Sequence, residues 1–134
     1  MRNRFSPSLS SALPVRVAGW LLDNQRLART DSVKRIAGSL LKQPAREGDI
    51  EAQSRLGHLL CSACESARDR RIGLELLRQA ARAGDPQAQL ELGRLYIQPR
   101  HAEPTQARHW LEQAAAQGLP EARRLLKRHP ISRG

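Results

Sequence analysis

Ala81-Arg82-Ala83-Gly84-Asp85-Pro86-Gln87-Ala88-Gln89-Leu90-Glu91-Leu92-Gly93-Arg94-Leu95-Tyr96 reads as the end of one helix, a stop, and the start of the next. Gly84 stands where the first helix must end, because a left-handed residue turns the chain and glycine adopts it without a side-chain clash. Asp85 offers an N-cap, and Pro86 takes a first-turn position where its missing N–H costs nothing. Ala88, Leu92 and Tyr96 then follow the glycine by four, eight and twelve residues, along one face of a 3.6-period helix.

The same frame recurs on both sides. Gly48 lies 36 residues before Gly84 and Gly118 lies 34 after it. Ala52 and Ala122 repeat Ala88, Leu56 repeats Leu92, and Gly57 repeats Gly93. Eleven residues before each glycine the side chain is small (Ala37, Gly73, Ala107), and eight before it is large (Leu40, Leu76, Trp110). Such alternation lets two backbones approach while large side chains fill the neighbouring gaps. Each unit is then a hairpin of helix A and helix B that cannot bury its apolar faces alone, and stacking of units does so. The spacing predicts an all-α stack with complete hairpins at 48–83 and 84–117. A degenerate first hairpin is expected at 12–47, with helix A over Pro14–Leu27 and helix B over Ser32–Gln43. A capping helix is expected within 118–129, and flexible tails at 1–11 and 130–134.

Composition agrees with one small domain. The chain has 134 residues, of which 40% are hydrophobic and 27% charged, enough to fold around a modest core. Aromatic residues make up 3%, too few for a base-stacking platform. No apolar run is long enough to span a membrane. Cys61 and Cys64 are too close in sequence to clip a long loop as secreted scaffolds do. The basic start resembles a signal peptide, but Arg16 interrupts its one apolar stretch, Leu13 to Leu22, and Asp23-Asn24-Gln25 follows. A Ser- and Arg-rich start without acids also fits an organellar transit peptide, but Leu13 onward follows the repeat. The expectation is a cytoplasmic protein.

The frame Ala-x-x-Gly-x-x-x-Ala-x-x-x-Leu-Gly-x-x-Tyr, a loop, then Asp-x-x-x-Ala-x-x-Trp-x-x-x-Ala-Ala-x-x-Gly resembles the Sel1-like repeat, a relative of the tetratricopeptide repeats. Gly84, Ala88, Leu92, Gly93 and Tyr96 match its first half; Ala107, Trp110, Ala114, Ala115 and Gly118 match its second. Asp69, Gly73, Leu76, Ala80 and Ala81 match the second half of the preceding unit. The resemblance implies a short right-handed α-α superhelix, a solenoid of Sel1-like, TPR-like hairpins. It also implies an adaptor or scaffold for protein–protein interaction, with no catalysis and no cofactor. The loops depart from the family, whose usual Gly-x-Gly-Val is replaced by Cys61-Ser-Ala-Cys64-Glu in one unit and Gln98-Pro-Arg-His in the next.

Related repeats line their concave surface with helix A residues, which here correspond to offsets +3, +6, +10 and +13 from each glycine. These are Glu51, Ser54, His58 and Cys61 in one unit, and Gln87, Leu90, Arg94 and Ile97 in the next. The cap adds Glu121, Arg124 and Arg128, and the first unit Val15, Ala18, Leu22 and Gln25. Offset +10 reads Leu22, His58, Arg94, Arg128, a line of rising positive charge. It suits a partner protein presenting an acidic or amphipathic segment, with arginines clamping carboxylates and Leu90 and Ile97 as apolar contacts.

Other chemistry has less footing. His58, Cys61 and Cys64 have the i, i+3, i+6 spacing of three metal ligands near a helix end, but one Cys-x-x-Cys without a second pair falls short of a zinc site. The thiols lie at the end of a helix, where its dipole does not favour a thiolate. The expectation is no resident metal. No Gly-x-Ser-x-Gly, His-Glu-x-x-His or phosphate-binding glycine loop is present, so neither an enzyme nor a small-molecule substrate is expected. Lys plus Arg is 23 against 13 acids, a net charge of +10. The excess gathers at Arg2 and Arg4, at Arg68, Arg70 and Arg71, and at Arg123, Arg124, Lys127, Arg128 and Arg133. The alternative reading is therefore a small basic protein docking on nucleic acid or an anionic membrane surface through Arg-rich ends. No recognition helix or aromatic stack accompanies the charge, which places nucleic acid second.

Overall fold

A computed structural model describes residues 9–63 and 66–129, and all their regular structure is helical. In chain order the helices are α1 (Leu9–Asp23), α2 (Gln25–Ala28), α3 (Asp31–Arg46), α4 (Ile50–Ala63), α5 (Ala67–Arg82), α6 (Pro86–Ile97), α7 (Pro104–Ala116) and α8 (Pro120–Arg128). A 3-10 turn, Pro99–His101, joins α6 to α7.

The three repeat glycines stop the B helices as their spacing predicts. Gly48, Gly84 and Gly118 have φ of +92°, +100° and +95°. The next residue's N–H reaches back to satisfy a carbonyl in the last helical turn: Asp49 to Pro44 (3.0 Å), Asp85 to Ala80 (3.0 Å) and Leu119 to Ala114 (3.2 Å). Asp49 and Asp85 then cap the following helix, accepting from the N–H of Ala52 (2.9 Å) and Ala88 (2.8 Å).

The first hairpin differs most from expectation. Helix α1 begins at Leu9, so the expected tail at 1–11 gives way to helix at its last residues, and the remaining tail residues, 1–8 and 130–134, lie outside the described chain. The helix runs through Pro14, which lacks the N–H for the bond to the Ser10 carbonyl and crowds that carbonyl with its ring. Asn24 breaks the expected helix A, its side chain capping α2 through the N–H of Arg26 and Leu27. Helix α3 continues past Gln43 to Arg46 through Pro44, which lacks the N–H for one intrahelical bond but whose carbonyl accepts from Asp49 beyond the helix end.

Packing follows the chain: α1 on α3, α4 on α5 and α6 on α7 within hairpins, with α3 on α4, α5 on α6 and α7 on α8 between them. Helices A also touch one another, α1 with α4, α4 with α6 and α6 with α8. They therefore line the inner side of the curve. Leu41, Leu77 and Leu111, seven residues before each glycine, are fully buried, as is Leu92. Each contributes about 1.5–3 kcal/mol by leaving water. Within a hairpin the axes approach so closely that Cβ atoms are excluded. A Cβ on Gly57 would lie 2.8 Å from Leu77 Cγ and 2.9 Å from the Gly73 carbonyl.

Candidate binding groove

The inner face is built from helix A, and geometry separates two stripes on it. Offsets +6, +9 and +13 follow the i, i+3, i+7 progression of one stripe, so they point the way the close-approach glycines Gly57 and Gly93 point, at their own helix B. Ser54 and Leu90 are accordingly buried, at 7% and 3% exposure. Leu90 packs with Leu111, Ala114 and Ala122, and Ile97 packs against the same cluster. Val15 and Ala18 are likewise core residues. Leu90 is thus a core residue and no apolar contact for a partner, and Ile97 lends at most a half-buried edge. Both are corrections to the expected surface.

The groove itself is lined mainly by +3, +7 and +10, with Ser54 at +6 contributing an edge. Its cavity, about 760 Å³, runs from Leu22, Asp23, Ala28 and Lys34 of the first hairpin across Glu51, Ser54, Arg55, His58, Leu59 and Ser62 to Asp85, Gln87 and Glu91. The +7 row, Arg55 and Glu91, was missed by the sequence reading. Its signal was present: each lies four residues after a +3 residue and three before a +10 residue, so it shares their face.

Charges along the groove pair across helices. Arg55 holds Asp23 with two bonds of 3.1 and 3.3 Å and Glu51 with one of 3.0 Å, tying α1 to α4. His58 Nδ1 lies 3.2 Å from Glu91 Oε2, tying α4 to α6. Arg94 bonds both Glu91 and Glu121, tying α6 to α8. The hydrogen bond to Glu91 raises the His58 pKa above its ordinary value, against burial and the Arg94 charge. Burial pushes the Glu91 carboxyl up, but His58 and Arg94 together outweigh it and hold the group below its ordinary value. Burial opposes the Arg94 charge, and the two carboxylates more than compensate. The expected ramp of free positive charge through Arg94 is therefore corrected: Glu91 and Glu121 neutralise its centre.

Other expected site residues are dispersed. Glu51, His58 and Gln87 lie exposed in the groove, and Arg124 and Arg128 are exposed on α8. Cys61 is half-buried, its thiol 3.8 Å from the Arg70 carbonyl, and Cys64 lies outside the described residues. Among the described residues no three His, Cys, Asp or Glu side chains gather as metal ligands. Helix A also carries a polar device with no counterpart in the sequence reading. At offset +5, the Gln53 amide donates to the Ala45 carbonyl (3.2 Å) and the Gln89 amide to the Ala81 carbonyl (3.1 Å), sealing the end of the preceding helix B.

Curvature, hairpin order and glycine stops can be compared with solved structures. The chain superposes on the crystal structure of a Sel1 repeat protein from Oxalobacter formigenes with a TM-score of 0.66 and 27% identity, over 89% of each chain. The chain folds as a Sel1-like repeat protein. It matches a second structure, c5321, a protective antigen of uropathogenic Escherichia coli with an SLR fold, at a TM-score of 0.70 and 24% identity. That match covers 92% of this chain but 27% of the antigen, so this Sel1-like chain spans about a quarter of its length. No family profile and no curated protein sequence matches. No helix among the described residues is long and apolar enough to cross a membrane.

Proposed function

We propose that this chain is a non-enzymatic adaptor that holds a segment of a partner protein in the groove lined by its A helices. Sel1-like repeats serve in general as protein-interaction scaffolds, and one observation carries the reading here: a cavity of about 760 Å³ spanning three A helices. Its walls carry Asp23, Glu51, Asp85 and Glu91 against Lys34, Arg55 and His58, with Leu22 and Leu59 between them. Because Arg55 and Arg94 already hold carboxylates, a purely acidic segment gains little there. An amphipathic segment fits better, apolar toward Leu22 and Leu59 and basic toward the Glu51 carboxylate, one oxygen of which Arg55 does not hold.

Steric blockade tests this. Ser62→Trp with Gln87→Trp fills the groove from two exposed positions, whereas Ile36→Ser with Ile72→Ser alters exposed residues of α3 and α5. In affinity purification compared by mass spectrometry, the groove pair is expected to lose the partner and the second pair to retain it. If Arg123→Glu with Arg124→Glu abolishes capture and the groove pair does not, the basic face of α8 is the site and the groove reading fails.

A further inference from the structure

A second cavity lies at the loop edge of the solenoid, and it shares no residue with the groove. An open cavity of about 340 Å³ lies between Cys61 at the end of α4, the first turns of α5, the last turn of α6 and the 3-10 turn after it. Its polar lining is dominated by Arg70, Arg71, Arg100 and His101, and its apolar lining by Leu74, Leu95 and Tyr96. Among the described residues no carboxylate lines it.

That absence sets it apart. Arg55, Arg78, Arg94 and Arg108 each pair with a carboxylate. Among the described residues, Arg71, Arg100 and His101 have no ion-pair partner. The short loop produces the gathering. His101 N–H bonds the Gln98 carbonyl (2.9 Å), and Glu103 N–H bonds the Tyr96 carbonyl (3.0 Å). These bonds fold 98–103 back over the end of α6, beside the start of α5. The Tyr96 hydroxyl accepts from Arg78 at 3.0 and 3.2 Å, which ties the side chain to α5.

We propose that this cavity binds an oxyanion, a carboxylate or a phosphate, carried on an apolar stem. The guanidiniums of Arg71 and Arg100 take the oxygens through charge-assisted bonds. The stem covers Leu74, Leu95 and the Tyr96 ring, leaving water as it does so. Like-charged groups held together gain from any anion between them, but only the apolar floor selects for a stem. The volume, at the low end for ligand pockets, suits a phenyl-sized group.

The full chain is titrated at fixed ionic strength with phenyl phosphate, 3-phenylpropanoate, inorganic phosphate and benzyl alcohol, followed by amide NMR shifts. Saturable shifts at Leu74 and Leu95 with either aromatic anion support the site, and the tighter of the two names its headgroup. Inorganic phosphate, lacking the stem, and benzyl alcohol, lacking the charge, are expected to bind about tenfold more weakly or worse. Arg71→Ala with Arg100→Ala is expected to weaken the aromatic anions about tenfold or more, with the thermal melt confirming an intact fold. Arg123→Ala with Arg124→Ala, which removes the same charge elsewhere, leaves their affinity unchanged. Equal binding of inorganic and phenyl phosphate, equal loss in the two double variants, or no saturable shift overturns the proposal.

Discussion

Gly93 meets Leu111 across the α6–α7 contact, and a Cβ there would overlap the leucine side chain. Replacing Gly93 with Leu forces the two axes apart, and overpacking of this kind costs about 1–3 kcal/mol. A thermal melt should fall by several degrees; an unchanged melt would mean that the helices are not in close contact. Gln89 acts differently. It is 3% exposed, donates to the Ala81 carbonyl and accepts from Gln117 at 2.9 Å, while Gln117 also donates to the Gly84 carbonyl at 2.8 Å. Gln89→Leu leaves buried polar groups unpaired, a penalty of about 1–3 kcal/mol measurable by urea unfolding. The glycine was readable from sequence because close approach demands its missing Cβ wherever it recurs. The glutamine was not: Gln53 and Gln89 sit in polar-looking positions, and only the path of the preceding helix shows that their amides cap it.

Helices rather than residues determine which side chains reach the groove. The A helices were found from their period, and offsets +3 and +10 do line the groove, but Leu90 at +6 turns into the core. Periodicity reports which residues share a face, and it does not report which neighbour that face meets. Leu90 was therefore assigned to the surface although it shares the stripe of Gly93, whereas Ser54, on the same stripe, keeps an edge in the groove. Glu91 of the +7 row, paired with His58 at +10, supplies a pH response. His58 has a raised folded pKa, so its contribution is complete below the ordinary value of 6.5 and fades as pH climbs through the raised one. Glu91 has a lowered folded pKa, so its contribution is complete above 4.5 and fades as pH drops through the lowered one. The pair is fully formed between those limits. The melting-temperature difference between wild type and His58→Gln should be greatest at about pH 5–6 and should shrink as the pH climbs above that window. A pH-independent difference would mean that the two groups do not interact.

At the scale of the molecule, the stack explains both what is buried and what is left open. Leu56 and Leu92 are covered by the helix B before them, at 6% and 0% exposure. Trp20, which follows Ala12 by eight residues as Leu56 follows Gly48, is 64% exposed, with Leu13 and Val17 exposed on the same helix. No described helix precedes α1 to cover it. The solenoid was legible because its glycines and alanines repeat; the first hairpin was less so because Pro14 and Asn24 break the pattern that reveals the others. The proposed function rests on the groove that this stack creates, and site-specific photocrosslinking tests that proposal most directly. A benzophenone side chain placed at Gln87, in the groove, should yield a covalent adduct with the captured partner, and one placed at Ile72, on α5, should not. Adducts from Ile72 alone, or equally from both, would contradict a partner held along the A helices.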